Sequence, residues 1–456
     1  MSVIQFPKIP KEHYYEDYIS AIMVLSKCFL ERGIVKKEEI EEKEEVLELD
    51  IVATSYSENS AEKCLIEIKG GKNWGYSDLF KIRGWLDYLG FNKARFIVQE
   101  TNGKPINTIQ KEIAKLNIDL VVNCFDKETG RLNNNDLCLS LGIEDDIISE
   151  KTIEMLCYSF LLEDMMCDKL IRSYRESDLD NKKRGYDRLF LYLQRIKHSS
   201  FFCSDPIKRV DRIINAYFDN ANITARIACE RKGDDFESID RNAVIPSDIF
   251  KEIYHIPQNK SGYHISLYVE FLNKLLILKC CIDYHMAKQI DNPDDGLPEW
   301  IKRLKIAALP DNLKEGIGIL SVQPYCYLYP HFWQVFVYLF GGFILEDKKE
   351  EEYKHLSLVS GIPVEHIDNA LSCFDILFKT EGGWFTTIDG IRIIKLFPSP
   401  FSGIGANYRL ELYINNDDSS FGDLKKVVNE KTFKRLASWN NLAVDFLKTD
   451  KNVVIG

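Results

Sequence analysis

Two short stretches constrain this chain more than any others, because each places charge inside an otherwise apolar run. They are residues 46–54 (VLELDIVAT) and 64–69 (CLIEIK). Side chains alternate across a strand, so Leu47, Leu49, Ile51 and Ala53 share one face of the first, and Glu48 and Asp50 point to the other. In the second, Cys64, Ile66 and Ile68 form the apolar face, while Glu67 and Lys69 point away together. If the strands pair across a polar loop at 55–63, the carboxylates and the lysine converge. A charge in the middle of a buried strand is costly unless it is paired or bound to a metal, so this pattern asks for a chemical reason.

An acidic residue followed, one strand later, by Glu-x-Lys resembles the PD-(D/E)xK nuclease superfamily, the restriction-endonuclease-like fold. The matching residues are Asp50, Glu67 and Lys69. Leu49-Asp50 replaces the family's proline-aspartate. The resemblance implies metal-dependent phosphodiester hydrolysis, with Asp50 and Glu67 holding Mg2+ or Mn2+ through hard oxygen ligands. It also implies the backbone carbonyl of Ile68 as a further ligand. An acidic residue on the first helix often completes the site in this family, and Glu16 fits that position. Glu16 has a second reading, as a favourable charge at the positive end of the helix dipole. Glu48 is the other candidate for a third ligand. Lys69 would position the attacking water and stabilise developing charge.

Residues 14–32 are apolar almost all round between Tyr18 and Leu30, which predicts a buried helix stopped by Gly33. Residues 36–45 (KKEEIEEKEE) form a charge run with one apolar residue, Ile40, read as a solvated helix end or linker. After the motif strands, Gly70 and Gly71 would let the backbone bend and approach a phosphodiester. Ser77 is placed to cap a helix running to about Tyr88, buried through Leu79, Ile82, Leu86 and Leu89. A strand at 93–99, a short helix at 108–116 and a strand at 118–124 follow. This order is the α/β core that the superfamily uses. No GxxxxGK run followed by Ser or Thr occurs, so Gly70-Gly71-Lys72 does not signal a nucleotide loop.

The chain has 456 residues, which suggests two to four domains, and a net charge of −11, which argues against a surface coated in basic groups for nucleic acid. DNA contact would then use local patches. Between residues 61 and 99, seven Lys or Arg stand against four Asp or Glu. Lys72, Trp74, Lys81 and Arg83 are the candidate DNA contacts there, with solvated surface as the alternative. A second basic stretch, residues 180–212, reads first as an ordinary helical face and second as a DNA-backbone contact. The twelve cysteines are scattered without a CxxC pair, and the eight histidines without ligand spacing, so a zinc site is not expected. No signal peptide opens the chain, and the most apolar run, residues 332–345, is too short to span a bilayer. The expectation is a cytoplasmic protein that does not engage a membrane.

Beyond residue 126 helical patterns dominate, at 153–174, 185–198, 206–218 and 268–290, with a loop at 292–296. Residues 329–345 read as one helix. Segments 354–360, 361–363 and 364–378 read as helix, turn and helix, followed by a glycine-turned hairpin at 379–395. That succession resembles a winged helix-turn-helix. Its second helix offers Glu365, His366, Asp368, Asn369 and Asp375, a set suited to a protein-binding or structural role more than to base readout. A strand at 408–414 and a helix at 430–447 complete the chain.

The expected architecture is therefore multidomain: a restriction-endonuclease-like α/β domain at 1–125, a helical domain at 126–324, a winged-helix-like domain at 325–400 and an α/β tail at 401–456. The expected function is a metal-dependent DNA endonuclease, with restriction or antiphage defence as a setting suggested by fold analogy alone. A protein partner, an ATPase subunit or a second copy of the chain would complete such a system. The alternative is a non-catalytic nuclease-fold scaffold that docks a partner through the winged helix.

Overall fold

The computed structural model describes residues 11–37, 45–71, 73–99, 103–122, 150–176, 201–202, 209, 261–291, 311–320, 322–378, 386–413 and 429–447. The chain divides into two compact units. One comprises Ile9–Cys157 with Leu358–Ser360, the other Met1–Lys8, Tyr158–Ser357 and Gly361–Gly456. Helices expected at 185–198 and 206–218, most of the basic stretch at 180–212, and the loop at 292–296 lie outside the described residues, as does Lys72.

The first unit is built on a five-stranded mixed sheet. Helix α1 (Lys11–Leu25) leads into β1 (Cys28–Lys37), β2 (Glu45–Ser57) and β3 (Ser60–Lys69), followed by α2 (Tyr76–Leu89), β4 (Lys93–Val98), α3 (Ile106–Ala114) and β5 (Ile118–Val122). Spatial order follows chain order, with β1, β2 and β3 antiparallel and β3, β4 and β5 parallel. The change from antiparallel to parallel reflects the connections. A tight turn joins β2 to β3, whereas α2 and α3 supply the crossovers that parallel neighbours need.

Four local expectations are corrected here. The helix expected at 14–32 ends at Leu25, and Cys28–Lys37 is a strand. Lys27, in the left-handed region at φ 65°, makes the turn without a glycine. Residues 36 and 37 therefore belong to β1, not to a linker, and 38–44 lie outside the described residues. The expected loop at 55–63 is mostly strand: the ladder runs to Ser57 opposite Ser60, leaving only Glu58 and Asn59 as the turn. Ser77 does not cap α2. The helix starts one residue earlier, and the Asp78 carboxylate accepts the Gly75 N–H at 2.8 Å.

The second unit is largely helical. Its long helix Ser261–Asp291 carries Phe271 into a ring cluster with Tyr338, Phe374, Phe378 and Phe397. The helix expected at 329–345 ends at Tyr338. Gly341 and Gly342, at φ 66° and 78°, reverse the chain into the strand β6 (Phe343–Leu345). Helices Lys349–Ser360 and Ile367–Leu377 follow, joined through Gly361 at φ 80°. Strands β7 (Thr386–Ile388) and β8 (Ile391–Leu396) then form a hairpin whose turn, Asp389-Gly390, has both φ values positive, as a tight two-residue hairpin requires. The small sheet has the order β6-β8-β7. Residues 402–413 form a helix, Ser402–Tyr413, where the alternation RLELYI suggested a strand. Helix Glu430–Leu447 matches its expected bounds. Both closing helices share a core with the small sheet, through Ala406, Phe433, Leu436 and Ala437 against Phe343, Leu345, Ile388 and Ile393.

Among the described residues no helix is long and apolar enough to cross a membrane. The described cysteines are free thiols, and most are buried.

Candidate active site

The β2–β3 ladder ends with Ile51 opposite Ile66, and the same register continued by one residue brings Asp50 opposite Glu67. Directly opposed residues of an antiparallel pair share a face, so the two carboxylates lie together, with Lys69 two residues along on the same side. Asp50 Oδ2 accepts the Ile68 N–H at 2.9 Å. That bond pins the carboxylate across the strands. Lys69 Nζ stands 3.5 Å from Glu67 Oε1.

Glu67 is only 4% exposed, and its Oε2 is buried with no hydrogen-bond partner among the described residues. A buried carboxylate oxygen without a donor is expensive, and the expense is reduced by protonation or by a bound cation. Burial, with Asp50 as the second cause, pushes Glu67 up to about 7. Asp50 is raised as well, chiefly by burial, against the opposing pull of the Ile68 N–H and Lys69. Glu48 adds to the rise at Asp50, and Lys81 of α2 lowers both carboxylates.

This acidity has a measurable consequence in the metal-free protein. Glu67 has a higher pKa folded than its ordinary 4.5, so the folded state holds the proton more tightly than the unfolded chain. The associated stability is fully present below pH 4.5 and is lost as pH rises through about 7. Urea denaturation at pH 5 and pH 8 should show a loss on the order of 2 kcal/mol attributable to this residue. Glu67→Gln should flatten that slope; an unchanged slope would place the titration elsewhere.

The remaining candidates separate clearly. Glu16 is half-buried on α1. The next residue, Asp17, bonds Arg32, whose register opposite Ile51 puts it on the sheet face away from Asp50 and Glu67. Among the described residues no group of three or more His, Cys, Asp or Glu is arranged to hold a metal, so neither Glu16 nor Glu48 joins the pair in such a cluster. Trp74 is 5% exposed. Its ring meets Phe96 edge-on at 5.6 Å, and Lys104 lies over it at 3.9 Å, so the indole is packed rather than presented for base stacking. Arg83 bonds the Leu116 carbonyl at 3.2 Å and pairs with Asp87, which ties α2 to the segment before β5. Lys81 alone of the described cationic candidates keeps an exposed head beside the carboxylates.

Compared with protein-family models, with curated proteins and with solved structures, the chain matches none. The site must therefore be judged on its own chemistry.

That chemistry suits a hard divalent cation. Mg2+ commonly binds through one or two carboxylates and keeps several waters, so a pair of carboxylates with one orphaned oxygen fits its habits better than a full protein cage would. Three exposed aromatic residues also lie on α2, Tyr76, Phe80 and Tyr88. Their signal in the sequence is that they fall off the stripe Leu79, Ile82 and Leu86, which makes the buried face of the helix.

Proposed function

We propose that the first unit is a metal-dependent DNA endonuclease centre of the PD-(D/E)xK kind, with Asp50 and Glu67 holding Mg2+ or Mn2+ and Lys69 beside them. The observation that carries this reading is the buried, half-orphaned Glu67 carboxylate facing Asp50, with a lysine at 3.5 Å. The succession of a helix, three antiparallel strands, and a helix crossing to a parallel strand also supports it.

A bound divalent ion would supply Lewis-acid polarisation of the phosphoryl oxygen and a more acidic water. The chain's own residues do the rest. Asp50, fixed by the Ile68 N–H, and Glu67, fixed by the ladder, present oxygens in one direction from two rigid strands. Both must be deprotonated to bind, so metal affinity falls below about pH 7, where Glu67 takes up its proton. The Lys69 ammonium orients the attacking water and offsets the charge that grows on the phosphate. The test is cleavage of supercoiled plasmid with Mg2+ or Mn2+ against a chelator control, with Asp50→Ala and Lys69→Ala proteins alongside. Equal cleavage by the variants sinks the assignment.

A second reading is favoured by the second unit. Its order of helix, strand, helix, helix and hairpin, with the sheet order β6-β8-β7, is the arrangement expected of a winged helix. Asp368 on its second helix is engaged by Tyr353 and by Lys349 at 3.3 Å, which suits a structural or protein-docking role better than phosphate contact. On this reading the unit docks a protein partner, such as an ATPase subunit or another copy of the chain, and the nuclease fold is scaffold. Stable co-purification without metal-dependent cleavage would favour it.

A further inference from the structure

We infer that the exposed face of α2 is a stacking platform for a single, unpaired DNA strand, which it feeds to the Asp50–Glu67 centre; this rests on the nuclease reading. Among the described residues the large exposed hydrophobic side chains are Tyr76, Phe80, Tyr88, Val322, Leu358 and Val364, and the three aromatic ones all lie on α2. They are 51%, 63% and 55% exposed. Tyr76 and Phe80 stand one turn apart, about 6 Å along the axis. Tyr76 and Phe80 are each more than half exposed and lie off the buried stripe of Leu79, Ile82 and Leu86.

Cations are interleaved with these rings. Lys81 follows Phe80 directly and sits 4.1 Å over the ring of Trp85, and Lys36 sits 4.6 Å over that of Tyr88. Helix α2 crosses from the C-terminal end of β3, where Glu67 and Lys69 lie, back to the start of the parallel strand β4, so its first turn, with Tyr76, starts at the end of the sheet that carries the centre. Aromatic faces alternating with positive heads are the means by which proteins hold unpaired strands without reading sequence: bases stack on rings, and phosphates meet the cations. A duplex has no free base face to offer. The chain's net charge of −11 weighs in the same direction. A net negative chain gives a polyanion little long-range attraction, so stacking on the rings has to add to what the few local cations supply.

The test uses the full chain. Fluorescence anisotropy in EDTA compares a labelled oligo-dT 20-mer with a duplex of equal length, for wild type, Tyr76→Ala/Phe80→Ala and Phe80→Trp. Both positions are exposed, so the substitutions spare the core. The double variant should lose at least about tenfold on the oligonucleotide and less than about twofold on the duplex, with Phe80→Trp close to wild type. Unchanged binding, or equal loss on both ligands, overturns the inference. So does a shift from dimer to monomer in sedimentation with oligonucleotide affinity intact, which would make this face a contact between copies. Cleavage by Asp50→Asn, measured in parallel with Mn2+, separates the two claims. If Asp50→Asn is inactive while the aromatic variants bind normally, only the strand platform falls. If Asp50→Asn cuts like wild type while the aromatic variants lose the oligonucleotide, the nuclease reading falls and the platform stands.

Discussion

Alanine at Asp50 should lower the rate of metal-dependent plasmid cleavage by about a thousandfold or more, and alanine at Lys69 by about a hundred- to a thousandfold. The first figure follows if Asp50 is one of the two carboxylates proposed to anchor the ion, since several kcal/mol of charge stabilisation would go with it. The second follows from removing one fixed positive group aimed at developing negative charge in a site partly closed to water. The two losses should differ in kind. Excess Mn2+ should recover part of the activity of Asp50→Ala, because the defect is in binding the ion. It should not rescue Lys69→Ala. Removing Lys69 also takes away a charge that lowers Glu67, so the pH at which cleavage sets in should move upward in that variant. A Lys69→Ala protein with the wild-type rate and pH profile would remove the lysine from the mechanism.

Glu352→Ala should be the most destabilising single change in the second unit, by roughly 3 to 5 kcal/mol, because it strands a buried guanidinium. Glu352 and Arg409 are both fully buried, with Nε to Oε1 at 2.8 Å. Arg409 also donates to the Phe340 carbonyl at 2.7 Å and to Gly405 at 3.0 Å, and Glu352 Oε2 accepts the Leu345 N–H at 3.0 Å. The pair therefore fastens β6 through Leu345, the turn before it through Phe340, and helix Ser402–Tyr413 at one point. Burial pushes the Glu352 carboxyl up even as Arg409 pulls it down. Glu352→Gln should accordingly cost less than the alanine, because the amide oxygen can still accept from the guanidinium. A double change of Glu352 and Arg409 to methionine should recover only part of the loss, since the Leu345 N–H would lose its carboxylate acceptor and the Phe340 carbonyl its 2.7 Å donor. Urea denaturation followed by tryptophan fluorescence reads each step. A Glu352→Ala protein within 1 kcal/mol of wild type would show that water reaches the arginine.

The hairpin of β2 and β3 was legible in the sequence because alternation of apolar and charged residues in two neighbouring stretches favours strands with one face against the core. The register was not: the sequence suggested a loop at 55–63, whereas the ladder runs on to Ser57 opposite Ser60, and that two-residue turn sets which residues face each other. What surrounds the hairpin was less legible. Strand β1 and helix α1 form one apolar run, and periodicity does not distinguish a buried strand from a buried helix; the break between them falls at Lys27, which adopts a left-handed conformation without being glycine. Residues 408–414 failed in the opposite way. Their alternation is genuine, but Arg409 is buried with a carboxylate partner far away in sequence, and no local pattern announces such a pairing. The flanking residues of the site show the same limit. Trp74, Lys81 and Arg83 look alike as phosphate contacts in a string of letters, yet one is packed against Phe96, one is exposed beside the carboxylates and one is bonded to a carbonyl near β5. Exposure is a property of the assembled fold, and the sequence carries it only through helical phase.

The central claim is that Asp50 and Glu67 jointly hold a catalytic divalent ion, and titration of Mn2+ into the 456-residue chain at pH 8, followed by the loss of the free-ion paramagnetic resonance signal, addresses it directly. Wild type should take up Mn2+ with Mg2+ in competition, and Glu67→Gln and Asp50→Asn should each weaken that uptake by at least about tenfold. Equal Mn2+ binding by all three proteins would contradict the account.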